Sequence, residues 1–333
     1  MQGKWSQHAG LPLPATTSTR HAAVRFVTNL PIGTLYLSVV VASTIVTNIL
    51  IVRSEYKFTY PYTVNVIQLT VAFLFMTAVK RFFKLSTTAI NHPWIAIRTI
   101  APVSTLYVAM MIIQPKFLTH IPFTSYPLYY ALSIPMSALY CYANRVWIVE
   151  SSVLILSGIY LFSVWFASLA ASASSFSRTG FLLGLTYAGL IAGYGIQLKR
   201  KLEQVDIWTL VFWKMVSVLP VMCIVTLVSG ELSRLCTVMF LDEAGFWLQM
   251  VLTGLMGLAT SFALVLLIKE TSSPVYQTFA VNAKINAQCI IAAIIFRNPM
   301  SGRASLGTLL ALAASLVALQ KSYRPVENTH RTI

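Results

Sequence analysis

The chain has 333 residues, 57% of them hydrophobic and 10% charged, with a formal net charge of +15. A soluble domain carries about a quarter charged residues, so this composition excludes both a soluble core and a disordered chain and makes lipid the natural solvent. The positive charge does not imply nucleic acid, because the basic residues flank apolar stretches instead of forming one patch.

Residues 1–32 read as a polar cytosolic tail with Pro12, Pro14 and a Thr/Ser run. They lack the short apolar core of a cleaved signal peptide, and the first span, from Gly33, is long enough to act as an uncleaved anchor. Ten apolar stretches follow, near 34–52, 61–79, 99–118, 122–143, 151–170, 179–198, 207–229, 245–267, 273–296 and 304–321. Each is roughly 18–24 residues, enough to cross a hydrocarbon core of about 30 Å as a helix. Lipid cannot satisfy free backbone groups, so the expected fold is an all-α membrane protein. The sixth stretch carries Gly180-x3-Gly184 and Gly189-x3-Gly193, a spacing that lets helices approach closely. The four cysteines, Cys141, Cys223, Cys236 and Cys289, show neither disulfide nor metal spacing.

Ten spans place both termini on one side. Of the 24 Lys and Arg residues, fifteen then fall on the terminal side and seven on the other, with Lys214 and Lys284 inside spans. That asymmetry predicts cytosolic termini. The segment from Pro122 to about Trp165 resembles the segment from Pro274 onward, with Arg145 opposite Arg297. The expectation is two inverted five-helix halves, 33–170 and 171–322, followed by a cytosolic tail at 323–333. Chance similarity between two apolar segments is the alternative.

All nine acidic residues lie outside the spans or at their edges. A carrier driven by protons or sodium usually keeps a carboxylate inside the membrane, so its absence favours exchange of one solute for another. Lys284 sits about eleven residues into the ninth span, about 16 Å deep at 1.5 Å per residue. Without an acidic partner it calls for a water-filled cavity or an anionic ligand; deprotonation or carbonyl bonding is the alternative. Gln277, Lys284 and Gln288 form one helical stripe, and Thr278, Asn282 and Asn286 form a second beside it. Polar glue between helices explains one such amide more readily than two stripes around a lysine.

Lys214, beside Trp213, lies about seven residues into the seventh span; it either snorkels to the cytosolic interface or shares the cavity of Lys284. Tyr194, Lys199, Arg200 and Lys201 close the sixth span, as a membrane anchor or as a basic rim that draws in an anion. Tyr107, Tyr126, Tyr129 and Tyr130 either pack or stack on a base. All five histidines lie in tails or loops, which argues against an enzyme, and nothing calls for a metal or cofactor.

Several segments together resemble the nucleotide-sugar and triose-phosphate carriers of the drug/metabolite transporter superfamily. They are FTYPYTVNVIQ (Phe58 to Gln68), PFTSYPLYYALSIP (Pro122 to Pro135), YGIQLKRKLE (Tyr194 to Glu203), and SPVYQTFAVNAKINAQ followed by FRNPMSGRASLGTLLALAASL. The resemblance covers about 34 to 322. It implies ten helices in two inverted repeats. It also implies alternating access, with a cytosolic nucleotide sugar exchanged for a lumenal nucleoside monophosphate at the Golgi or endoplasmic reticulum membrane. In that family the ninth-span lysine near Asn contacts phosphate, which carries over to Lys284 and Asn282. The family's seventh span often reads Phe-Tyr-Asn-Asn; here Phe212-Trp213-Lys214-Met215 stands instead and leaves the base unassigned. NAKINAQ is somewhat similar to the GDP-fucose branch, and a UDP-sugar is the other candidate cargo. The expected substrate-binding set is Lys284, Asn282, Gln277, Gln288, Lys214, Trp213, Tyr126, Tyr130, Tyr194 and Lys199. The expected partners are a nucleotide sugar, a nucleoside monophosphate and membrane lipid, with a homodimer left open. A triose-phosphate type antiporter and a non-transporting scaffold are the alternative readings.

Overall fold

A computed structural model describes residues 38, 39, 42, 60–82, 93–121, 126–144, 150–168, 177–235, 239–295 and 301–322. The first predicted span, apart from helical residues 38, 39 and 42, lies outside that set. So do both tails, Pro122, Cys236 and the paired Arg145 and Arg297.

Eleven α-helices, together with one short 3-10 turn at Met239–Asp242, make up the regular structure of the described residues. They are α1 Pro61–Phe82, α2 Pro93–His120, α3 Tyr126–Ala131, α4 Ser133–Asn144, α5 Ser151–Ser168 and α6 Arg178–Leu202. These are followed by α7 Ile207–Val228, α8 Glu231–Leu235, α9 Ala244–Glu270, α10 Pro274–Ile295 and α11 Gly302–Ser322. Seven of them (α1, α2, α5, α6, α7, α9 and α11) are long and apolar enough to cross a membrane, each coinciding with a predicted span. The chain is a multi-pass helical membrane protein. The predicted ninth span is also one helix, α10, and it carries Gln, Asn, Thr and Lys residues along its length.

The fourth predicted span is not one continuous helix. It breaks at Leu132 into α3 and α4. Pro135 has no N–H to offer the carbonyl of Ala131, so the ladder cannot run through this turn. Ser133 Oγ donates instead to the Tyr130 carbonyl at 2.6 Å.

The helices pack as two bundles that meet along α6 and α10. One joins α1, α2, α6, α7 and α9 around Met76, Ile100, Leu198, Leu210 and Leu258. The other joins α3, α4, α5, α10 and α11 around Ile134, Tyr160, Phe279 and Ala314. Each bundle therefore draws helices from both predicted sequence halves. Close packing at α6 uses its small residues: a side chain at Gly184 would overlap Tyr129 and come within 2.8 Å of Phe117 in α2.

Two helix ends are capped from far along the chain. Glu231 Oε2 accepts from Thr63 N at 2.8 Å and from Thr63 Oγ1 at 2.9 Å, and Oε1 accepts from Tyr62 N at 3.4 Å. This buried carboxylate satisfies the free N–H groups at the start of α1 and complements its dipole. At the other helix end, Lys199 Nζ donates to the carbonyls of Ile268, Lys269 and Thr271 at 2.9, 3.0 and 2.6 Å. It thereby closes the C-terminus of α9, where a cation is favoured.

Candidate functional site

A cavity of about 170 Å³ opens between α1, α2, α6, α7 and α9. Its polar walls are Asn65 and Gln68 of α1, Tyr107 and Gln114 of α2, Tyr187 of α6, Lys214 of α7 and Ser261 of α9. Lys214 is 2% exposed. Its ammonium donates to Ser261 Oγ at 2.8 Å and reaches Tyr194 Oη at 3.5 Å, and it lies 4.6 Å from the centroid of the Tyr107 ring. Lys214 therefore points inward, and snorkelling to the interface is excluded. Hydroxyls and a ring face hold the cation, with no carboxylate among the residues lining the cavity.

Tyr126 and Tyr130 sit next to this cavity as packed residues. Their hydroxyls are 2.7 Å apart, Tyr130 donates to Tyr187 at 2.8 Å, and Gln114 Nε2 donates to Tyr126 at 3.3 Å. The hydroxyl chain thus runs from α3 to the cavity wall. Tyr194 is buried against Tyr107 at 5.7 Å between ring centroids. Trp213 stands edge-on to Phe212 and is not part of the cavity wall; its indole N–H is buried and has no partner among the described residues.

The polar residues of α10 divide into two faces. On one, Asn282 Nδ2 donates to Ser133 Oγ at 3.2 Å and to the Thr278 carbonyl at 2.7 Å, while its Oδ1 accepts from Tyr160 at 3.2 Å. Asn286 Nδ2 donates to the Tyr160 hydroxyl at 2.6 Å and to the Asn282 carbonyl at 3.0 Å. Asn282 and Asn286 are thus buried in a clamp between α10, α4 and α5, away from the Lys214 cavity. The resemblance placed Asn282 beside Lys284; their side chains instead leave the helix on different faces.

Lys284 lies on the other face. It is half-buried, and among the described residues its ammonium has no hydrogen-bond or ionic partner. Ala280, one turn before it, packs with Ala263 and Leu267 of α9, and Val281 packs on the Tyr126, Tyr187 and Ile191 cluster. Gln277, two turns before it, lies directly against Gly195 of α6. Lys284 therefore faces the seam between α6 and α9, not lipid. It is not among the residues lining the Lys214 cavity. Gln277 is fully buried with both amide atoms unpaired among the described residues, and a side chain at Gly195 would overlap it. Gln288 is half-buried. Lys199, read from sequence as anchor or rim, instead binds three carbonyls of the α9 end.

Sequence reading missed Asn65, Gln114, Tyr187 and Ser261. The signal was there: Asn65 and Gln68 are three apart, Tyr107 and Gln114 seven apart, and Gly254, Gly257 and Ser261 follow the same face.

With this interior established, comparison with known proteins gives a consistent result. The chain is similar to GDP-fucose transporters. GDP-fucose transporter 1 of Dictyostelium discoideum is 26% identical over 278 residues, covering 80% of this chain and 73% of the relative. GDP-fucose transporter 1 of Mus musculus is 26% identical over 221 residues, covering 66% and 61%. The Golgi GDP-fucose transporter of Drosophila melanogaster is 26% identical over 221 residues, covering 66% and 65%. The chain thus spans somewhat under two thirds of the length of two of these relatives. No family model matches the chain. One solved crystal structure, 16% identical, superposes with a TM-score of 0.60 over 89% of this chain and 98% of that one. That likeness speaks to the fold alone.

Proposed function

We propose that this protein is a nucleotide-sugar transporter of the Golgi or endoplasmic reticulum membrane. It exchanges a cytosolic nucleotide sugar for a lumenal nucleoside monophosphate by alternating access. The observation that carries the reading is Lys284, a cation midway along α10 that faces the bundle interior and has no protein counter-ion among the described residues. The seven described acidic residues all lie at helix ends or in turns, so an anionic cargo is the available partner. The similarity to three named GDP-fucose transporters supports the same reading. GDP-fucose and UDP-sugars are the first cargoes to examine.

In this account Lys284 holds the diphosphate, with Gln277 and Gln288 on its stripe. Lys214, held by Tyr194 and Ser261, lines the separate cavity between α1, α2, α6, α7 and α9, with Trp213, Tyr126 and Tyr130 packed outside its wall. Asn282 sets the rotation of α10, and Lys199 joins α6 to α9 at the cytosolic end. The cavity of about 170 Å³ is smaller than the roughly 300–1,000 Å³ of pockets that enclose a whole organic ligand, so the bundles must part to admit one. Ten helices in two inverted halves, 33–170 and 171–322, with both termini cytosolic, complete the proposal; lipid surrounds the chain and a homodimer is compatible with it.

The test is exchange in proteoliposomes preloaded with GMP, UMP, CMP or AMP and offered the matching labelled nucleotide sugars. Uptake stimulated by one internal nucleotide is the expected result. Uptake of triose phosphates alone would make the chain an organic-phosphate antiporter. The absence of uptake together with no thermal stabilisation by any nucleotide would make it a scaffold.

A further inference from the structure

We propose that the cavity beside Lys214 is the sugar subsite of this carrier and that the sugar it takes bears a carboxylate, as a uronic acid does. The proposal rests on the nucleotide-sugar reading and names the cargo class more narrowly.

A cavity of about 170 Å³ can take a fragment of a nucleotide sugar but not the whole. The two rings in its lining are engaged with neighbouring side chains, so the walls match a sugar better than a base. Tyr107 packs on Tyr194 on one side and carries the Lys214 ammonium at 4.6 Å, and Tyr187 is stacked on Phe117 with centroids 5.7 Å apart. The remaining polar groups are neutral donors and acceptors on several walls: the amides of Asn65, Gln68 and Gln114 and the hydroxyl of Ser261. Such a set complements the hydroxyls of a sugar.

Lys214 is the charged residue among those lining the cavity. It is 2% exposed and already oriented by Ser261 and Tyr194. A buried cation without a counter-charge is costly, and a neutral sugar would leave it so. One ammonium balances one carboxylate in a charge-assisted hydrogen bond. Lys284 lies outside this cavity and remains for the phosphates.

The experiment uses the full chain in proteoliposomes and matched pairs of labelled cargoes that differ only at one carbon of the sugar. The pairs are UDP-glucuronate against UDP-glucose and GDP-mannuronate against GDP-mannose. For the pair with the accepted base, the wild-type protein is expected to take up the acidic sugar at least tenfold more efficiently. Lys214→Gln is expected to bring that ratio close to one. A wild-type ratio at or below one overturns the proposal without need of any variant, as does a Lys214→Gln protein that keeps the wild-type ratio. Uptake of neutral nucleotide sugars at least as efficient as that of the acidic ones, and dependent on Lys284, refutes the acidic subsite alone. No nucleotide-stimulated uptake of either member refutes both this proposal and the transport reading beneath it.

Discussion

Replacing Tyr160 with phenylalanine would remove one oxygen from a fully buried ring and leave its contact with Phe279 in place. That oxygen donates to Asn282 Oδ1 and accepts from Asn286 Nδ2, so it joins α5 to α10. After the change Asn282 Oδ1 has no donor among the described residues, a buried acceptor worth about 1–3 kcal/mol when orphaned. Asn286 Nδ2 keeps the Asn282 carbonyl at 3.0 Å, so its loss is that of a single net hydrogen bond, about 1 kcal/mol. Helices that unfold within a membrane find other polar partners, and bonds between them average only about 0.6 kcal/mol. The two bonds together are therefore expected to contribute about 1–2 kcal/mol, measured by reversible unfolding of the reconstituted protein in SDS titrations. A Tyr160→Phe protein within about 0.5 kcal/mol of wild type would show that the two asparagines are not held by this hydroxyl, and the clamp would have to be abandoned.

Two further variants test the long-range caps. Glu231→Gln keeps the shape but removes the charge from the start of α1, and should cost about 1–2 kcal/mol in the same titration. An unchanged midpoint would mean that the carboxylate does not serve as the cap. Lys199→Met should lower stability by about 1 kcal/mol through loss of the α9 cap. If it instead weakens cargo uptake in a salt-dependent way at unaltered stability, Lys199 is a cytosolic rim cation and the cap is secondary.

The helical architecture was legible because span length and apolar content are local properties, and α5, α6 and α7 follow the predicted stretches closely. The break at Leu132 was readable in principle from Pro135, but an apolar stretch of span length hid it. The roles of polar residues inside the spans were less accessible, because the partner decides each role and the partner is distant in sequence. Asn282 and Asn286 look like a ligand stripe until Tyr160, more than a hundred positions away, takes up their amides. Lys199 looks like a rim until the α9 carbonyls, about seventy positions on, turn out to bind it. Lys214 had two readings, snorkelling or a cavity shared with Lys284; Ser261 and Tyr107 turn it inward, but into a cavity that Lys284 does not line. Lys284 differs in that its sequence reading rested on the lack of a partner, and among the described residues none is found.

The most direct measurement is nucleotide-stimulated uptake by Lys284→Ala beside wild type, in vesicles loaded with equal amounts of folded protein. Truncating one member of a buried charge pair costs at least about 2 kcal/mol, so uptake efficiency should fall about 30-fold or more. A Lys284→Ala protein that transports at the wild-type rate with an unchanged KM would contradict the account at its centre.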